Sequence, residues 1–159
     1  MWYLSCVGWE EVLGKQEARY HLKTATSRDG LSWDRTGEVA VDFSGPNEAA
    51  LVRPTVVCDD GVWRMWFSRR GIEGFRTGGE QSYRLGYAES RDLEKWSRLD
   101  DQAGLDVAPE GWDSEMLAYP WVFETAGQRF MLYNGNGFGQ SGFGLAAWDG
   151  ATPRPEGAL

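Results

Sequence analysis

Two segments, 111–123 and 131–137, concentrate side chains of the kinds that bind sugars. Aromatic rings stack on the apolar face of a sugar, and Asn and Asp side chains accept hydrogen bonds from its hydroxyl groups. The candidates for these two roles are Trp112, Asp113, Tyr119, Asn134 and Asn136. Such a mixture is typical of a carbohydrate-binding site. The run 134–137 alternates Asn with Gly, so a simple turn is the alternative interpretation of its two asparagines.

Other common site chemistries lack the residues that they need. His21 is the only histidine, so neither a zinc site nor a Ser-His-Asp triad is expected. Cys6 and Cys58 are the only cysteines, which excludes a disulfide framework. We expect both thiols to be buried in a protein of the reducing cytoplasm. No metal and no cofactor are expected.

Charge and hydropathy narrow the class of partner. The formal net charge at pH 7 is −8, and Lys and Arg do not cluster beyond Arg69 and Arg70. A nucleic-acid partner is therefore not expected, and a neutral ligand is favoured. No window approaches the length of about 18 apolar residues that a membrane span requires. Residues 1–16 also lack the basic and then apolar pattern of a secretion signal, so no membrane partner is expected.

Three stretches of the sequence repeat one another at a spacing of about 63–66 residues. The equivalent residues are the pairs Trp2 and Trp66, Trp33 and Trp96, and Pro54 and Pro120. Within each unit, short strand patterns with alternating side chains are separated by turn residues. A repeat of this length with four antiparallel strands is typical of a propeller blade. The sequence therefore predicts an all-β fold, a partial β-propeller.

We predict ten strands in a single domain, distributed as three, four and three over blade units at about 1–40, 41–107 and 108–150. Ten strands form about 2.5 four-stranded blades, half of a five-bladed propeller. Residues 151–159 are predicted to form a flexible C-terminal tail. Such a half-propeller exposes flat blade faces and strand edges, so a homo-oligomer, most simply a dimer, is expected. A truncated gene product is the alternative.

Turn chemistry separates the predicted strands. Segments 58–63 and 124–129 place a glycine late in a short loop, which predicts two hairpins. Segments 27–33 and 90–96 share Ser, Asp and Trp at matching positions and resemble a shortened Asp-box. We expect each Asp to bond the backbone of its own turn and each Trp to pack between blades.

Residues 111–123 and 131–146 resemble the five-bladed propeller superfamily of the invertases, arabinanases and mannoside phosphorylases. The resemblance is strongest to bacterial glycosidase-like members, covers nearly the whole chain and corresponds to the C-terminal half of those proteins. It implies a central funnel, lined by acidic residues of the innermost strands, that binds carbohydrate. It also implies hydrolysis or phosphorolysis of a glycosidic bond.

The resemblance implies roles for residues near the innermost strands. Glu115 stands just before the innermost strand of the third unit, and Glu48 stands at nearly the same place in the second. Either carboxyl group would be a general acid or would accept a sugar hydroxyl. The alternatives are a rim carboxylate for Glu115 and a solvated loop for Glu48. Arg53 resembles the Arg of the family's Arg-Asp-Pro motif and would bind substrate, although Thr55 departs from that pattern.

No segment matches the Asp that the family supplies from its first blade. A single acid cannot perform a mechanism that needs two carboxyl groups across the scissile bond. Three functions therefore stay open: an enzyme completed by a second copy, a carbohydrate-binding propeller without catalysis, and a self-associating fragment without activity.

Overall fold

The computed structural model describes residues 1–150 as ten β-strands and two short helical turns, at Asp100–Gln102 and Asn136–Gly139. The strands are β1 (Trp2–Val12), β2 (Lys15–Thr24), β3 (Val39–Val41), β4 (Glu48–Asp59), β5 (Val62–Gly71), β6 (Arg84–Ser90), β7 (Ser97–Arg98), β8 (Ala118–Thr125), β9 (Gln128–Asn134) and β10 (Phe143–Ala147). The predicted tail, 151–159, lies outside the described residues. Neither helical turn in residues 1–150 approaches the length or apolar character needed to cross a bilayer.

Antiparallel pairing groups the strands into three blades. The first blade contains β1–β3, the second contains β4–β7, and the third contains β8–β10. One parallel residue pair, Tyr20 with Ala50, joins the first two blades into a single sheet, whereas the third blade is a separate sheet. The predicted distribution of three, four and three strands is confirmed. The fold is all-β, a partial β-propeller of about two and a half four-stranded blades.

Three hairpins have two-residue loops in which both residues have positive φ. These loops are Leu13-Gly14, Asp60-Gly61 and Ala126-Gly127. Two successive positive φ values define the turn whose twist matches that of the flanking strands, and glycine adopts the second position without strain. The hairpins predicted at 58–63 and 124–129 are confirmed.

The central strand of the second blade packs against both neighbouring blades. Met65 and Phe67 of β5 are fully buried in an apolar cluster with Leu22 of the first blade. Trp66, which points to the opposite face, packs with Val122 and other apolar side chains of the third blade. Since successive side chains of a strand alternate between faces, one strand supplies both interfaces. Burial on both faces explains its continuous run of apolar residues.

The outer faces of the two end blades are apolar and exposed. In the third blade, Trp121 is 58% exposed, Phe143 74% and Leu145 60%. The Trp121 ring stacks on Phe123, with ring centroids 4.9 Å apart. In the first blade, Trp9 is 65% exposed. Contiguous apolar surface of this kind is typical of a face that packs against another element.

Each Asp-turn bonds its own backbone, as predicted. Asp29 accepts hydrogen bonds from the N–H groups of Leu31 and Ser32, each at 2.8 Å. Asp92 accepts equivalent bonds from Glu94 and Lys95, at 2.9 and 2.8 Å. The two turns therefore share one local geometry.

The tryptophans of these turns differ. Trp96 packs edge-to-face against Trp2 of the first blade, with ring centroids 5.6 Å apart, which confirms packing between blades. Trp33 is 39% exposed, and its ring N–H donates to the Gly30 carbonyl of its own turn. The prediction that Trp33 packs between blades is wrong, because among residues 1–150 the Trp33 ring belongs to none of the apolar clusters that join the blades.

The prediction of two buried thiols is also wrong. Cys6 and Cys58 are both exposed. Cys6 lies on β1, which among the described strands pairs with β2 alone and so forms an edge of the sheet. Cys58 pairs with Trp63 near the C-terminal end of β4, two residues before the hairpin loop.

Candidate functional site

The inner strands of the second and third blades carry the same irregularity. The ladder between β4 and β5 shifts by one residue beside Arg53, and the ladder between β8 and β9 shifts by one beside Tyr119. Both residues have positive φ, 56° and 58°, and each precedes a proline. A left-handed backbone at a residue other than glycine costs on the order of 1–3 kcal/mol, and such strain is enriched at functional sites. The two bulges therefore mark a candidate site.

The bulges bring Arg53 and Tyr119 together. The Arg53 guanidinium carbon lies 5.6 Å from the centroid of the Tyr119 ring, which is within the range of a cation–π contact. Tyr119 is half-buried and Arg53 is exposed. The Tyr119 backbone N–H donates to Ser68 Oγ at 2.7 Å, which ties the bulge to β5.

Behind this pair lies a cluster of aromatic rings. The centroid of the Tyr83 ring lies 5.7 Å from that of Tyr119, 5.8 Å from that of Phe138 and 6.1 Å from that of Phe75. Burial raises the pKa of the Tyr119 hydroxyl, and the neighbouring Tyr83 adds to that rise. Tyr119 is therefore a neutral ring at physiological pH, with a hydroxyl that can both donate and accept.

Glu115 is exposed and lies at the edge of this region. Its backbone N–H donates to Asn136 Oδ1 at 2.8 Å, and its carbonyl accepts from Arg84 at 2.8 Å. A Cβ atom on Gly78 would lie 3.3 Å from the Glu115 side chain, so the two segments are in contact. Within residues 1–150 the Glu115 carboxylate forms no ion pair. Its backbone is fixed while its acidic group stays accessible.

Glu48 has a different environment from Glu115. It is 7% exposed and begins β4, so the alternative of a solvated loop is wrong. Its two oxygens accept from the Arg98 guanidinium at 2.6 and 2.7 Å, and one of them also accepts from the Ser44 N–H. Arg98 donates in addition to Asp100 at 2.7 Å. Burial lowers the pKa of Arg98, but the hydrogen bonds to Glu48 and Asp100 outweigh burial and leave it raised.

Trp112 and Asp113 lie around Tyr133 in the third blade. The Trp112 and Tyr133 rings are stacked with centroids 5.5 Å apart, and the Tyr133 hydroxyl donates to Asp113 at 3.1 Å. Burial, together with that hydrogen bond, raises the pKa of Tyr133. A Cβ atom on Gly135 or Gly144 would collide with the Trp112 ring, so both positions require glycine. Trp112 keeps 37% of its surface exposed.

The two predicted asparagines tie loops together. Asn136 Oδ1 accepts from the N–H groups of Glu115 and Met116, and its Nδ2 donates to the Gly111 carbonyl. Asn134 Nδ2 donates to the Phe138 carbonyl at 3.1 Å. The hydrogen-bonding capacity of the Asn136 amide is thus used within the protein, whereas the Asn134 amide makes this one bond. These contacts favour a supporting role for both residues.

The structure therefore divides the predicted residues into three groups. Arg53 and Tyr119 are in direct contact, and Glu115 is joined through Asn136 to the loop that carries Trp112. Glu48 belongs to a separate ion-pair network that continues through Asp100. Tyr83, Phe138 and Arg98 carry no local sequence signal for these roles, because each acts through contacts between distant segments.

A cavity of about 270 Å³ lies between the second and third blades, lined in part by Trp66, Tyr87 and Met131. None of the predicted site residues lines it. Its two arginines, Arg64 and Arg129, are both paired with Asp59 within 3.0 Å. Among residues 1–150, no group of three His, Cys, Asp or Glu side chains is arranged to hold a metal ion.

No protein-family model matches the chain. Two proteins of Mycobacterium tuberculosis, uncharacterised protein MT1551 (strain CDC 1551 / Oshkosh) and uncharacterised protein Rv1502 (strain ATCC 25618 / H37Rv), are each 46% identical to it over 146 residues. The match covers 92% of this chain and 45% of each relative. The chain thus spans about half the length of the curated relatives that it matches.

The fold is similar to that of solved glycoside hydrolases. A structure described as a glycoside hydrolase aligns with a TM-score of 0.63 at 19% identity, over 98% of this chain and 44% of that one. The GH32 β-fructofuranosidase BmSUC1 of Bombyx mori aligns with a TM-score of 0.58, also at 19% identity, over 85% of this chain and 26% of the enzyme. At this identity the likeness concerns the fold, which is glycosidase-like.

Proposed function

We propose that this chain binds carbohydrate at the inner edge of its blades, where Arg53 and Tyr119 meet. The observation that carries the proposal is the repeated bulge, which places a guanidinium and an aromatic ring side by side on consecutive inner strands. A half-buried ring offers a flat apolar surface to a sugar, and a guanidinium offers several hydrogen-bond donors to its oxygens. The glycosidase-like fold supports the same class of ligand.

Binding without catalysis is the function that the contacts favour. Glycoside hydrolysis needs two carboxyl groups on either side of the scissile bond. Glu48 is buried and its oxygens are bound by Arg98 and Ser44, so it is poorly placed to transfer a proton to a substrate. Glu115 alone, of the two predicted acids, has an accessible carboxylate.

Hydrolysis or phosphorolysis of a glycosidic bond is the second candidate function, favoured by the exposed and unpaired carboxylate of Glu115. It requires a second carboxylate in addition to that of Glu115. If aryl glycosides are turned over, Glu115→Gln abolishes turnover while the fold is retained, because the substitution removes the titrating proton and keeps the shape. Unchanged turnover in this variant would exclude Glu115 as the acid.

We propose in addition that a second copy of the chain covers the exposed apolar faces of the end blades. The third blade presents Trp121, Phe143 and Leu145, and the first presents Trp9. Covering these faces removes apolar surface from water and protects open strand edges. Sedimentation equilibrium is expected to give twice the 17.8 kDa of one chain. A stable folded monomer at micromolar concentration would contradict the dimer.

The binding proposal is tested by replacing the ring of the site. Tyr119→Ala is expected to weaken carbohydrate binding at least about fivefold, measured by calorimetric titration, since stacking of one ring contributes roughly 1 kcal/mol or more. Trp33→Ala, which removes an exposed ring at an outer turn, is the matched control and leaves binding unchanged. Thermal unfolding of both variants checks that they fold. Equal binding by Tyr119→Ala and wild type would refute the site.

A further inference from the structure

Arg53 differs from the other arginines on the described strands. Each of the others is held by a carboxylate, by backbone carbonyl groups or by both: Arg19, Arg64, Arg69, Arg70, Arg84, Arg98 and Arg129. Within residues 1–150, the Arg53 side chain forms no hydrogen bond or ion pair, and its guanidinium lies over the Tyr119 ring. Its five N–H donors therefore face solvent at the inner edge of the blades. An exposed guanidinium that lies against a ring can bind an anion through its free N–H groups.

A second arginine adds positive charge to the same place. Arg70 is 4% exposed and donates to the carbonyl groups of Gly71 and Ala18. Burial and Tyr83 raise the pKa of Tyr119, while Arg53 and Arg70 both act to lower it. The tyrosine thus lies in the field of two cations. The net charge of −8 describes the whole chain and does not describe this location.

The backbone fixes the direction of the Arg53 side chain. Its φ of 56° interrupts the alternation of side chains along β4. The ring of the next residue, Pro54, fixes the φ of that residue. Tyr119 has the same conformation one blade further on. Both side chains therefore leave the backbone at a bulge, and the contact between guanidinium and ring reduces the side-chain ordering that a ligand must impose.

We infer that the carbohydrate bound at this site is anionic, with a carboxylate or phosphate oxygen pair bound by Arg53 while the sugar ring packs on Tyr119. This inference rests on the proposed carbohydrate-binding function. A planar guanidinium matches the two oxygens of a carboxylate or phosphate and binds them through parallel N–H bonds. A guanidinium against an aromatic face keeps its in-plane donors available for that purpose.

Glucose, glucuronate and glucose 6-phosphate are suitable probes, because they share one ring and differ in charge. Titrations followed by NMR are expected to show at least about tenfold tighter binding of one charged sugar than of glucose, as a charge-assisted bond provides. Tighter glucuronate binding identifies a carboxylate ligand, and tighter glucose 6-phosphate binding identifies a phosphate ligand. Raising the salt concentration from about 0.05 M to about 0.5 M weakens only the charged interaction.

Variants test the role of the guanidinium. Arg53→Gln is expected to remove the preference for the charged sugar, and Arg53→Lys to retain part of it, because Lys keeps the charge and loses the planar fork. Arg91→Gln makes the same change of net charge at an exposed position in the second Asp-turn, and it should leave the preference intact. Arg53 is exposed, so the variants are expected to fold, and thermal unfolding verifies this.

The possible results distinguish failure of this inference from failure of the proposed carbohydrate-binding function. If glucose binds as tightly as both charged sugars, the ligand is neutral at this site. If Arg53→Gln keeps the preference, a group other than Arg53 binds the charge. Either result overturns the inference while carbohydrate binding stands. If Arg91→Gln lowers the preference as much as Arg53→Gln does, the effect is one of overall charge and the inference also fails. If none of the three sugars binds the wild-type chain, the proposed function fails with it.

Discussion

Glu48 and Glu115 occupy nearly the same place in consecutive repeats, yet their environments are opposite. Glu48 is buried and bound by Arg98, whereas Glu115 is exposed and forms no ion pair within residues 1–150. Both stand at or just before an inner strand. The repeat fixes where the backbone runs, and the neighbouring segments decide what each carboxylate does.

The difference arises from one residue of the second blade. Arg98 ends β7, the outer strand of that blade, and reaches Glu48 and Asp100. In the third blade no equivalent strand follows β10 within residues 1–150. Within these residues Glu115 therefore has no counterpart of Arg98. An acid that is left unpaired in this way can serve a ligand.

The largest expected effect on stability concerns the buried ion pair of Glu48 with Arg98. Glu48→Gln is expected to lower the free energy of unfolding by about 3 kcal/mol, because it leaves the Arg98 charge buried with only part of its compensation. Glu115→Gln is expected to change it by less than about 0.5 kcal/mol, as is usual for an exposed side chain. Urea denaturation of the two variants gives both values. Equal losses in the two variants would remove the distinction between structural and accessible acids.

A slightly smaller difference is expected between the tryptophans of the two Asp-turns than between the two glutamates. Trp96 packs against Trp2, so Trp96→Ala is expected to cost about 3 kcal/mol, at the lower end of the range for losing a packed aromatic ring. Trp33 is 39% exposed, and Trp33→Ala is expected to cost less than about 1 kcal/mol. Thermal or chemical unfolding measures both. A loss for Trp33→Ala as large as that for Trp96→Ala would mean that another surface covers Trp33 in solution.

The smallest effect concerns the aspartates of the two Asp-turns, which have the same environment. The N–H groups of Ser32 and Leu31 lower the pKa of Asp29 to about 2, and equivalent bonds lower the pKa of Asp92. A lowered pKa means that the charged carboxylate is favoured in the folded protein. Its stabilising contribution is complete above the unfolded pKa of about 4 and is lost as the pH falls through the folded value.

Carboxyl titration by NMR measures this pKa directly. Asp29 is expected to titrate near pH 2, and Asp29→Asn is expected to reduce the difference in stability between neutral pH and about pH 2. An Asp29 pKa at the ordinary value near 4 would show that the turn hydrogen bonds do not persist in solution.

The fold could be predicted from sequence because its determinants are local. The hairpin loops at Asp60-Gly61 and Ala126-Gly127 require residues that adopt positive φ, and the spacing of strand patterns gives the number of strands. The Asp-turns likewise depend only on side chains within seven residues of each other. Packing was harder to predict, and the exposure of Trp33 and Cys6 was missed, because burial depends on which blade lies alongside.

The candidate site could be predicted only in part. Aromatic and amide residues of the third blade were recognisable by type, but Asn134 and Asn136 turn out to bond loop backbone. The pairing of Glu48 with Arg98 spans 50 residues and leaves no local pattern. The contact between Arg53 and Tyr119 likewise depends on two bulges in different blades, which neither residue type indicates.

The bulge at Arg53 has a consequence for how the inner strand tolerates changes in length. Val52 lies opposite Ser68 and Thr55 lies opposite Trp66, so two residues of β4 face the single residue Phe67. A strand shorter by one residue at this point would keep both flanking pairs and simply become straight. The additional residue is therefore superfluous to the ladder, and its effect is confined to the surface at the blade's inner edge. Deleting one residue there would keep the register between β4 and β5 and would change only the side chains exposed at the bulge.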